Sequence, residues 1–246
     1  MTFPVYLRIG TFQAHPHAVF ESLAYVVAFA AYFWLRRRSE DPISLNERWW
    51  VIAGAMAGAT VGSTLLAYAG APFNSLEPPG KTIVGGLVGG WIAIEWIKKI
   101  RRISTRTGDL FALPLALGIA VGRIGCFLTG LSDQTYGYAT RLPWGIDFGD
   151  GIHRHPTQLY EIAFLVGLAV LLRQFMARAH LNGDIFKAFM IGYMGWRLAI
   201  DFLKPGLRAV GLTAIQWTCL VVLLYCARDL VRMIAGLRAD STLVHS

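Results

Sequence analysis

Apolar runs recur along this 246-residue sequence at close to the length, about 20 residues, that a helix needs to cross about 30 Å of hydrocarbon. A chain folding in water would have to bury all of these runs in one core and cover that core with charge. Only 15% of the residues are charged, against about 25% in ordinary soluble domains, and 55% are hydrophobic. The membrane is therefore the predicted solvent, and the predicted fold class is all-α and polytopic. Apolar runs and their charged punctuation place about seven transmembrane helices, at 18–35, 49–70, 82–97, 109–129, 157–175, 184–203 and 211–228. The run that begins near Val19 is followed by Arg36, Arg37 and Arg38, the reverse of a signal peptide, so it reads as a retained first helix.

Seven spans put the two termini on opposite sides, and lysine and arginine gather in alternate loops. Arg36 to Arg38 with Arg48, then Lys98, Lys99, Arg101, Arg102 and Arg106, then Arg173, Arg178 and Lys187, and last Arg228, Arg232 and Arg238 fall on one side. The positive-inside rule makes that side the cytoplasm, with the N-terminus out and the C-terminus in. Residues 130–156 form the longest loop on the other side, and the turn signals of Phe148, Gly149, Asp150 and Gly151 predict a small ordered periplasmic cap. The chain, 1–246, reads as a single transmembrane domain. Its net charge of +8 sits in short clusters at the ends of apolar runs, which marks topology and excludes a nucleic-acid patch. Cys126, Cys219 and Cys226 have no CxxC spacing, so they suggest neither a metal site nor a disulfide framework. Gly85, Gly86, Gly89 and Gly90, and likewise Gly118 and Gly122, allow helices to approach closely; at Gly85, Gly86 and Gly122 a lipid headgroup is a second candidate for that close approach.

Some polar residues interrupt the apolar runs. Arg123, near the outer end of the fourth span, costs at least a few kcal/mol unless it meets a cavity or an anion. Arg197 shares one face of the sixth span with Tyr193 and Asp201, four residues away on either side. An ion pair with Asp201 is the structural explanation of Arg197; a ligand is the functional one. Guanidinium is planar, stays charged when desolvated and binds phosphate oxygens in pairs, and the phosphates available at that depth are phospholipid headgroups. A third cluster, His155, Gln158, Tyr160 and Glu161, opens the fifth span beyond what helix initiation needs. In the first span Glu21 and Tyr25 stand one turn apart, and a carboxylate so placed is protonated, paired with an arginine, or part of a site.

These segments carry a family resemblance. Gly122-Arg-Ile-Gly-Cys-Phe127 resembles the glycine-arginine signature of the prolipoprotein diacylglyceryl transferase family, the segment from His155 to Glu161 its stretch after the periplasmic head, and Gly192 to Arg197 with Asp201 its late arginine helix. The likeness runs in order over most of the chain. It implies an inner-membrane enzyme that moves the diacylglyceryl group of phosphatidylglycerol onto a prolipoprotein cysteine, forming a thioether and releasing glycerol phosphate at the outer leaflet, with no cofactor and no metal. It implies that Arg123 and Arg197 hold the lipid phosphate, with Tyr193, Gln158 and Glu161 shaping the pocket. The family usually has histidine before the glycine pair of the third span, where this chain has Val84, tyrosine where it has Glu21, and asparagine where it has Cys126. Val84 cannot accept a thiol proton, so Glu21, His17 or His155 is expected to do so, Glu21 first. The alternative is a protein that binds or transports anionic phospholipid and has kept the phosphate clamp without the reaction.

Overall fold

The computed structural model describes residues 3–9, 12–38, 43–71, 80–177 and 181–243; Arg178 and the side chain of Arg238 lie outside these. Among the described residues are seven α-helices: α1 (Pro16–Arg36), α2 (Leu45–Gly70), α3 (Ile83–Arg101), α4 (Asp109–Thr129), α5 (Thr157–Met176), α6 (Asp184–Ile200) and α7 (Ala214–Leu243). Each falls on one of the predicted apolar runs. Two short antiparallel hairpins, β1 (Leu7–Ile9) with β2 (Phe12–Ala14) and β3 (Ile146–Asp147) with β4 (His153–Arg154), stand outside the all-helical expectation. Two helices differ in length from expectation: α6 ends at Ile200 and tightens into a 3-10 turn, Asp201–Leu203, and α7 runs on to Leu243, past the expected end at 228.

Four helices, α1, α2, α4 with the turn that follows it, and α5, are long and apolar enough to cross a membrane. Large apolar side chains point outward on them, among them Val26, Phe29, Met56, Leu65, Val170 and Leu171. Such continuous outward apolar faces suit hydrocarbon, not water. Helix α3 is too charged to stand out in this way, through Glu95, Lys98 and Lys99, and α6 is only 17 residues long and carries Asp184, Lys187 and Arg197.

The chain divides into two compact units. One contains α2, α3 and the first half of α7. Ser44 and Glu47 close a capping box at the start of α2, and the Thr82 hydroxyl accepts the Gly85 N–H at the start of α3. A methyl group on Gly85 would lie 2.3 Å from the Gly62 carbonyl, and one on Gly89 2.3 Å from the Gly58 carbonyl. The two backbones touch where lipid offers no hydrophobic drive, and only glycine permits that contact.

The other unit contains α1, α4, α5, α6, the far half of α7 and the segment 130–156. At one end, the Asp109 carboxylate of α4 accepts the N–H groups of Gly183 (2.6 Å) and Phe186 (2.9 Å), capping α6 from outside its own strand of chain. Lys187 pairs with Asp229 at 2.6 Å, and Arg232 pairs with Asp184. At the other end the predicted cap is ordered. Phe148, 2% exposed, is ringed by Phe3, Phe127 and Tyr136. The Asp147 carboxylate accepts N–H bonds from Gly149, Asp150 and Gly151, and these bonds, Gly149's foremost, hold its carboxyl below the usual carboxylate range. Gly149 and Gly151 adopt φ of 109° and 76°, conformations that this turn reserves for glycine. Tyr138 donates its N–H to the Leu203 carbonyl and Gly137 to that of His155, lacing the cap to the end of α6 and the start of α5.

Candidate functional site

Helical spacing brings three elements to one point. Tyr193, Arg197 and Asp201 share one face of α6 and the turn beyond it, Gln158 and Glu161 share one face of α5, and α4 contributes Arg123. All six side chains are buried, Gln158, Glu161 and Tyr193 completely. Glu161 is the common anion: its Oε2 forms ion pairs with Arg123 Nε at 2.9 Å and Arg197 Nη1 at 3.3 Å, and its Oε1 accepts the Tyr193 hydroxyl at 2.6 Å. Arg197 Nη2 reaches Asp201 Oδ1 at 2.7 Å. The sequence anticipated this last pair. It cast Glu161 as pocket support, but Glu161 is the internal anion that both arginines share.

Lys204 follows the 3-10 turn within electrostatic reach of Arg123, Arg197, Glu161 and Asp201. The two guanidiniums are balanced by the two carboxylates. Arg197 Nε and Gln158 Nε2 remain as buried donors, and Gln158 Oε1 as a buried acceptor, without a hydrogen-bond partner among the described residues, and buried polar groups of that kind are costly unless something satisfies them.

A second group of side chains adjoins Arg123. Its Nη1 donates to Cys126 Sγ at 3.6 Å, and the Cys126 sulfur lies within 4.8 Å of side-chain atoms of Asp133 and His17. Asp133 Oδ1 lies 3.0 Å from His17 Nδ1, while its Oδ2 accepts the Thr135 hydroxyl at 2.6 Å. Close packing of α1 on α4 makes this possible: a methyl on Gly125 would lie 2.8 Å from Phe20 Cβ and 3.3 Å from His17 Cα. On the far side of His17, Glu21 Oε2 is 4.0 Å from Nε2.

Of the residues that the sequence singled out, Arg123, Arg197, Tyr193 and Glu161 are in direct contact, and Gln158 lies one turn before Glu161. Gly122 makes only an ordinary contact, 3.8 Å to Ala24 Cβ from an added methyl, so packing does not account for it. Glu21, 53% exposed at its side chain, meets this cluster, among the described residues, through His17. His155 sits at the base of the cap with its Nδ1 3.3 Å from the Tyr160 hydroxyl, which accepts from Trp144 Nε1. Gly85 and Gly86 belong to the other unit; the backbone contact of α3 with α2 explains Gly85, while Gly86 packs more loosely, 3.6 Å from the Ala59 carbonyl. Helical spacing gave no direction for two nearby residues, Asp133 in the 3-10 turn after α4 and Lys204 just beyond the 3-10 turn after α6, and for Lys204 the sequence left headgroup contact and a plain helix end both open.

Residues 4–231 match the family model described as prolipoprotein diacylglyceryl transferase. A phosphatidylglycerol–prolipoprotein diacylglyceryl transferase of Rhodospirillum rubrum is 34% identical over 240 residues, which cover 87% of this chain and 84% of the relative. Proteins of the same description from Bordetella bronchiseptica and Idiomarina loihiensis are each 31% identical, the first over 90% of this chain and 91% of its own, the second over 82% and 83%.

Proposed function

The chain belongs to the prolipoprotein diacylglyceryl transferase family, and from that premise we propose that its buried arginine pair is the phosphate clamp of a phosphatidylglycerol-dependent diacylglyceryl transferase. The observation that carries this reading is the convergence of Arg123 and Arg197 on Glu161, with Arg197 Nε and Gln158 Nε2 buried beside it as donors without a partner among the described residues. In the reaction, the acceptor sulfur attacks the glyceryl carbon that bears the phosphate. A sulfur–carbon bond forms, the carbon–oxygen bond to phosphate breaks, and the electron pair of that bond leaves with glycerol phosphate. Charge grows on the departing oxygen in a site from which water is largely excluded. Guanidinium groups already fixed by Glu161 and Asp201 stabilise that charge without reorganising, which is where electrostatic catalysis has most effect. Gln158 supplies amide hydrogen-bonding groups beside them, and Tyr193 fixes the Glu161 carboxylate.

The same reading sets the protein in the bacterial inner membrane with seven spans, the site at the outer leaflet beneath the periplasmic cap 130–156. Mass spectrometry of the purified protein with phosphatidylglycerol and a lipobox peptide tests it. The expected products are a diacylglyceryl thioether and glycerol phosphate, and Arg123→Ala should lower their rate of formation by about 100-fold or more. Phospholipid that co-purifies without any thioether would instead make the chain a phospholipid-binding protein.

A further inference from the structure

Alkylation of a thiol requires a proton acceptor, and the third-span position where a histidine is expected holds Val84, whose side chain has no lone pair. Resting on the transferase reading above, we infer that His17, oriented by Asp133, is the general base that takes the proton of the acceptor thiol.

The geometry is that of an oriented imidazole. Asp133 Oδ1 stands 3.0 Å from Nδ1, so the carboxylate holds the ring in the tautomer with its proton on Nδ1 and leaves the lone pair on Nε2. Glu21 is 4.0 Å from Nε2, beyond hydrogen-bond distance, so the lone pair is not consumed. Asp133 is fixed before any substrate arrives. Its side chain is 8% exposed, Thr135 holds Oδ2, and the Thr135 carbonyl is tied in turn to the Thr157 hydroxyl at the start of α5. His17 itself is 44% exposed, so an incoming thiol can reach it. The groups that face it are Glu21 on α1, Asp133 in the turn after α4, and Cys126 on α4, with Arg123 one contact further on. The inferred base therefore stands in one cluster with Cys126, which the Arg123 guanidinium contacts.

The proton balance closes without a further reactant. The thiol proton passes to Nε2 as the sulfur bonds to carbon; the imidazolium, flanked by Asp133 and Glu21, then releases it to the departing phosphate or to water. Glu21 thereby supports the base instead of serving as the base itself. His17, Cys126 and Asp133 present atoms within 4.8 Å of one another, a spacing that a metal ion also accepts, but the Arg123 guanidinium 3.6 Å from Cys126 Sγ repels a divalent cation there.

The test uses the full-length protein in phosphatidylglycerol vesicles with a lipobox peptide, and follows thioether formation together with lipid retained on purification. His17→Ala is expected to lower the rate by about 100-fold or more while retaining wild-type amounts of lipid, and added imidazole restores part of it. His17→Gln, which still offers Asp133 a hydrogen bond, is slow as well. Asp133→Asn is slow and imidazole does not restore it, because the ring is present but misoriented. His15→Gln, two residues away, keeps the wild-type rate. The inference is overturned by a His17→Ala protein that keeps the wild-type rate, by a slow one that imidazole does not restore, or by inactivation of the wild type with a chelator that zinc reverses. If the wild type itself forms no thioether, the transferase reading fails and the base fails with it, an outcome distinct from a fast His17→Ala variant.

Discussion

Glu161 compensates both arginines of the site at once, and that gives it more weight than either of them. A buried guanidinium that loses its carboxylate costs about 3–5 kcal/mol, because the charge stays desolvated with nothing opposite it. Glu161→Gln should therefore lower the melting temperature of the detergent-solubilised protein substantially. A phosphate that enters the cluster replaces the missing charge, so phosphatidylglycerol should raise Tm more in Glu161→Gln than in the wild type. Equal shifts in the two proteins would take the phosphate out of this cluster. Sequence periodicity exposed both arginines and the Tyr193–Arg197–Asp201 face, since charged residues in an apolar run are conspicuous and their spacing sets their face. It could not rank Glu161, because a carboxylate in the opening turns of α5 is also an ordinary helix-starting residue. It missed Asp133 altogether, because the turn after α4 has no period from which the direction of a side chain can be read.

Among the elements, the pair α1 and α4 positions the inferred base, and glycine sets its spacing. Gly125 lets the start of α1 approach until His17 meets Asp133. A valine there must displace Phe20 and the Pro16–His17 backbone, an overpacking worth about 1–3 kcal/mol, and the strain falls on the segment that carries the histidine. Gly125→Val should slow transfer while Arg123 and Arg197 continue to retain lipid. Gly167→Ala, on an open face of α5 with nothing within 4 Å of the added methyl, should change neither rate nor lipid retention. A Gly125→Val protein with wild-type turnover would show that the approach of α1 to α4 does not set the chemistry. The helices themselves were legible because long apolar runs, four of them in helices able to cross a membrane, leave the backbone few alternatives. The two hairpins were not, since β1, β2, β3 and β4 are only two or three residues long and too short to show alternation. The glycine pattern of α3 was legible as packing, but its partners on α2, Gly58 and Gly62, are fixed by the contact itself.

At the scale of the molecule, the charges at the two ends of the unit that holds the site bear on how the chain crosses the membrane. One end gathers the start of α4 at Asp109, the start of α6 at Asp184 and Lys187, and Asp229 and Arg232 of α7, joined by ion pairs and a shared cap. The other gathers the start of α1, the turn after α4, the cap and the start of α5. These are the two groups of loops that the lysine and arginine bias separated. If the first group is cytoplasmic, each of its ion pairs stands where the positive-inside rule puts basic residues, and the clamp of Arg123 and Arg197 opens to the periplasmic leaflet. A fluorescent protein fused after Ser246 should then fold and fluoresce. Alkaline phosphatase inserted at the Gly149–Gly151 turn, where the backbone is exposed, should be active only because it has reached the periplasm. Phosphatase activity at the C-terminus with none at the turn would invert the topology. It would also move the phosphate clamp to the cytoplasmic leaflet, away from the side on which this reading places the reaction.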